Sequence, residues 1–70
     1  MNESYPKSDP RYHMAAIRTI LVSAIGEARG GVKEVTDPKA QALFETTAEV
    51  INGLLQAYIH AEEKSEEVWR

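Results

Sequence analysis

From Asp37 onward the chain has one proline, Pro38, one glycine, Gly53, and a sustained apolar repeat. The repeat runs Ala40, Phe44, Thr47, Ile51, Leu54, Tyr58, Ala61, Ser65, Val68. Steps of three and four put these positions on one stripe of an α-helix, because about 3.6 residues make a turn. Leu43, Val50 and Ala57 widen the stripe on one side; Ala48, Leu55 and Ile59 widen it on the other. One partner helix needs less apolar surface than this, so the pattern calls for two neighbours, as in a bundle. Asp37 supplies a capping oxygen and Pro38 suits the first helical position, so the helix is predicted over about 38–68.

The same Asp-Pro signal recurs at Asp9-Pro10 and opens a first helix, predicted over about 10–30. Its apolar positions are Met14, Ile17, Leu21, Ala24 and Ala28, broadened by Ile20, Val22 and Ile25. Between Met14 and Ile25 only Arg18, Thr19 and Ser23 are polar, the pattern of a helix covered on most sides. Gly30-Gly31 offers a left-handed residue to close it, which leaves Gly31 to Thr36 as the connection. So short a connection makes the helices antiparallel neighbours. The expected fold is all-α: a helical hairpin forming one domain over residues 10–70, preceded by a polar, flexible arm over residues 1–9 that could reach a partner through Tyr5. A turn centred near residue 34 would set Leu21 near Thr47, Ile17 near Ile51 and Met14 near Leu54. The second helix would then overhang the first from about Ala61, carrying Glu62, Glu63, Glu66, Glu67, Val68 and Trp69 past its end.

Two helices cannot enclose a core by themselves. The chain has 70 residues, 43% of them hydrophobic, and no cysteine. It therefore has the apolar content of a folding chain, but no disulfide or thiolate-bound metal to staple it. Self-association is the remaining way to cover the surplus. Two hairpins are expected to form a four-helix bundle, with Met14, Ile17, Leu21, Phe44, Ile51, Leu54, Tyr58 and Trp69 at the interface. The partner is then a second copy, in a homodimer or higher homo-oligomer, or another protein.

Charge narrows the partners further. The net charge is −3; residues 10–35 carry four bases against two acids, and residues 36–70 carry seven acids against three bases. Opposite signs favour pairing of the helices with each other or with a second copy. An acidic chain with so few arginines is a poor match for nucleic acid. The longest apolar run, Met14 to Ile25, is too short to cross a bilayer and is broken by Arg18, so no membrane partner is expected. The lack of cysteine is compatible with the cytoplasm, the expected location.

Few residues offer chemistry. His60, Glu63 and Glu67 share a helical face, and carboxylates with imidazole suit iron, manganese or zinc. Ferritin-like di-iron bundles use Glu-x-x-His; the order here is reversed, His60-x-x-Glu63, and the cluster falls on the solvated overhang. A metal-binding, ferritin-like small bundle completed by oligomerisation is therefore the alternative reading, and no cofactor is expected. Arg11, Arg18 and Arg29 could clamp an anion, but Arg18 more simply lays its stem on the core edge and pairs with an acid such as Glu49. Gly53 and Ala57, four apart, permit a close helix crossing. His13 and His60 are the only histidines and neither has a nucleophile at a useful spacing, so no enzyme is expected. The sequence thus reads as a small non-enzymatic oligomerisation or protein-interaction module.

Overall fold

The computed structural model describes the backbone of residues 5–68 and the side chains of residues 5–64. It is a hairpin of two helices, α1 (Pro10–Glu34) and α2 (Pro38–Val68), packed against each other. Both Asp-Pro signals act as read. The Asp9 carboxylate accepts from the Arg11 backbone N–H at 2.9 Å, and that of Asp37 accepts from the Lys39 N–H at 2.9 Å. Each cap satisfies a first-turn donor that the helix itself cannot.

The end of α1 differs from the sequence reading. The helix continues through Gly30-Gly31 to Glu34, and no described glycine has a positive φ. It stops ahead of Pro38: Val35 is extended, with φ −97° and ψ 155°, and a helix continued to Pro38 would set the proline ring against the Glu34 carbonyl and hold Asp37, directly before the proline, in a disfavoured conformation. The last carbonyls of α1 are covered from α2. Gln41 Nε2 donates to Val32 O at 3.2 Å and to Val35 O at 2.9 Å. The connection is therefore only Val35 to Asp37.

Lengthening α1 moves the register. Phe44 lies on Gly31, and Glu62 reaches Arg18, so the matched pairs centre near residues 38 to 40 rather than 34. The expected matches of Leu21 with Thr47 and Met14 with Leu54 give way to a frame shifted by several residues. The overhang from Ala61 is likewise corrected. Ala61 and Glu62 are half-buried, with Glu62 paired to α1. Val68 and Trp69 have side chains outside the described residues.

The stripe of α2 that meets α1 is Gln41, Phe44, Ala48, Ile51, Leu55, Tyr58, Glu62, at steps of three and four. It touches Ile25 and Ala28 of α1, with Arg18 toward the far end. Among the described residues only Ile25, Ala28 and Ala48 are buried, at 6–8% exposure, with Phe44, Ile51 and Leu55 packed around them. The principal extents are 48 × 19 × 14 Å. The shortest of these is little more than one helix diameter, so the hairpin is a single layer with two broad sides. Stable domains are built from at least two layers around a core.

Candidate interaction surface

The seam between the helices is tight at Gly31. A Cβ added there would stand 2.8 Å from the Phe44 ring, so this glycine is a seat for the ring. Gly53, singled out for a close crossing, has nothing within 4 Å of such a Cβ; within the chain the close approach is at Gly31.

Helical spacing and the seam fix what each broad side carries. On one side a groove is lined by Ala24, Ala28 and Gly31 of α1 and by Leu43, Phe44 and Thr47 of α2, with Glu27 and Glu34 along its α1 edge. Ile17 and Ile20 continue this face on α1, and Val50 and Leu54 continue it on α2, at helical steps of three and four. These side chains stand in water: Ile20 is 65% exposed, Leu43 61%, Val50 65% and Leu54 48%. The opposite side carries Arg29 and Lys33 on α1 against Glu45, Glu49 and Asn52 on α2. Val22 is its large exposed aliphatic residue.

The magnitudes show which side matters. Full burial of one large aliphatic side chain stabilises by about 1.5–3 kcal/mol, so each of these half-exposed residues forgoes roughly 1 kcal/mol. Five of them forgo about 5 kcal/mol, comparable to the whole stability of a small domain.

The residues expected at an interface divide between two surfaces. Phe44 and Ile51 pack against the core inside the hairpin, while Met14, Leu21 and Tyr58 are half-buried. Ile17 and Leu54 lie on the exposed apolar side. Trp69 falls outside the described residues. The 40/44/47/51/54/58 stripe runs along the boundary between the face packed on α1 and the face left open. Leu43 and Val50, flanking residues in the sequence, are the most exposed large apolar residues among the described side chains of α2.

The charged residues are arranged as follows. Arg18 Nε lies 2.7 Å from Glu62 Oε1, not against Glu49 as expected from sequence. Its N–H is not aimed at that oxygen, so the contact is coulombic rather than an aligned hydrogen bond. Arg11 is held by Asp9, with Nη2 to Oδ2 at 2.6 Å and Nε to Oδ1 at 3.0 Å, and its guanidinium lies 4.5 Å from the centre of the Tyr5 ring. That hydrogen bonding holds the Asp9 carboxyl below its ordinary value of 3.8. Tyr5 is thus engaged within the chain, and residues 6–9 form a turn closed by Asp9 N–H to Pro6 O at 2.9 Å. Of the three arginines that could clamp an anion, Arg11 and Arg18 each face a carboxylate of this chain.

His13 Nε2 donates to Lys7 O at 2.7 Å, which ties it to the N-terminal turn. His60 and Glu63 are exposed, and the Glu67 side chain lies outside the described residues. Among the described residues no three His, Cys, Asp or Glu side chains gather as metal ligands would. Among them, too, no helix is long and apolar enough to cross a membrane. No protein-family model matches the chain, and no curated protein or solved structure is significantly similar to it.

Proposed function

We propose that this hairpin is a non-enzymatic oligomerisation or protein-interaction module, in which two copies associate into a four-helix bundle. One observation carries this reading: five large aliphatic residues from both helices share one side of a single-layer hairpin and remain exposed. A second hairpin would supply the missing layer and convert that side into a core. The chemistry available elsewhere is slight, and Arg11 and Arg18 each pair with a carboxylate of the chain. The proposed setting is an aqueous one, the cytoplasm, in keeping with the polar opposite side and the cysteine-free sequence.

Sedimentation equilibrium of the purified chain tests the proposal. The expected mass is twice the 7.8 kDa of one chain, or a higher multiple. A folded monomer at micromolar concentration would overturn it.

A further inference from the structure

Resting on that reading, we infer that the second copy docks on the apolar side with its α2 over α1 of the first, the two-fold axis running along the helices. Two arrangements bring the apolar sides together. If the axis runs along the helices, α1 faces α2 of the other copy. If it runs across them, α1 faces α1 and α2 faces α2.

Charge separates the two. The α1 edge of the apolar side is acidic, with Glu27 and Glu34 on the groove. The α2 edge, read from helical positions, carries Lys39 and Lys64, both exposed. An axis along the helices preserves height, and Glu34 and Lys39 flank the same turn. Glu34 of one copy then meets Lys39 of the other, twice by symmetry. An axis across the helices brings Lys39 toward Lys64 and leaves both glutamates without a basic partner. Opposite charges across an interface favour the first arrangement, and like charges disfavour the second.

Shape agrees with the first arrangement. The contact of Gly31 with Phe44 fixes relative height near the turn, and the long Arg18 and Glu62 side chains span the offset at the far end. Equal rise per residue counted from the Gly31–Phe44 contact sets Ile20 level with Leu54 to Leu55 and Ala24 with Val50 to Ile51. The small Ala24 of one copy then receives the large Val50 of the other. Ile17, lower on α1, meets the small Ala57.

The test uses two full-length single-cysteine chains, Ile20→Cys and Leu54→Cys, in a protein that has no cysteine of its own. Both sites are exposed in the hairpin, so neither change disturbs its packing. The chains are mixed in denaturant, refolded together in a thiol–disulfide buffer, and their masses are read beside sedimentation of the unmodified protein. The expected product is a disulfide-linked pair of one chain of each kind, in at least about tenfold excess over either self-linked pair. Self-linked Ile20→Cys pairs in excess, or no cross-link from a sedimenting dimer, would overturn the arrangement alone. A monomeric unmodified protein would overturn both the arrangement and the reading beneath it.

Discussion

One broad side of the hairpin carries Ile17, Ile20, Leu43, Val50 and Leu54; the other carries Arg29, Lys33, Glu45, Glu49 and Asn52. Both sides are built by the same two helices and separated only by which residues flank the seam. The charged side is complete as it stands, because water solvates its side chains at little cost. The apolar side is incomplete, because water is a poor neighbour for aliphatic groups and no third element among the described residues covers it. The difference shows that the fold and its association come from one sequence pattern. Each helix has an apolar arc wide enough for two contacts, and the hairpin uses one.

The strongest way to break the comparison is to place a charge on each side. Leu54→Glu should weaken self-association by about a hundredfold or more, since a symmetric pair loses the burial twice. Glu49→Lys, on the charged side, should change it by less than about threefold, screened as exposed charges are. Equal effects of the two changes on sedimentation would erase the distinction between the sides.

Next in size is a pair of glycine substitutions that separates the seam from the open surface. Gly31→Ala should lower the unfolding free energy by about 1–3 kcal/mol, because the new methyl meets the Phe44 ring. Gly26→Ala, with nothing within 4 Å, should raise it by about 0.5–1 kcal/mol through helix propensity. Urea denaturation of both variants checks the signs; a stabilising Gly31→Ala would mean that the seam is loose.

A smaller effect is expected at Arg18, whose side chain is 41% exposed beside Glu62. Arg18→Met should cost no more than about 1 kcal/mol, because a partly exposed ion pair gains little over hydration. A loss of several kcal/mol in the same denaturation assay would make this pair a pillar of the register.

The smallest effect lies at the N-terminal turn, away from both sides. Asp9 is held below 3.8 by the Arg11 side chain first and the Arg11 backbone N–H second. A carboxylate with a lowered folded value stabilises above its unfolded value and loses that contribution as pH falls through the folded one. Stability should therefore decline below about pH 3.8, and Asp9→Asn should decline less steeply over that range. Parallel pH profiles of the two proteins would argue against the Asp9–Arg11 contact.

Much of this hairpin was readable from residues alone. The two Asp-Pro starts, the antiparallel pairing and the surplus of apolar surface follow from local rules. The register did not, because Gly30-Gly31 looks like a helix stop and here is not one. Nothing local shows that Gly31 is kept helical as the seat for Phe44, a residue thirteen positions away. The face of α2 that meets α1 was also hidden. Its stripe contains Gln41 and Glu62, polar residues whose roles, covering α1 carbonyls and meeting Arg18, exist only once the helices are paired. An apolar arc broad enough for two partners does not state which part goes to which. That is why Leu54 and Ile17 were grouped with Phe44 and Ile51, although the first two face outward and the last two face the core.

The coupling of folding to association is most directly tested by thermal unfolding, followed by circular dichroism at protein concentrations a hundredfold apart. If a second copy completes the apolar side, mass action must raise the midpoint with concentration, by several degrees over that span, and Leu54→Glu must lower the midpoint. A midpoint that is high, cooperative and independent of concentration would mean that the single-layer hairpin is stable alone, and would contradict the account.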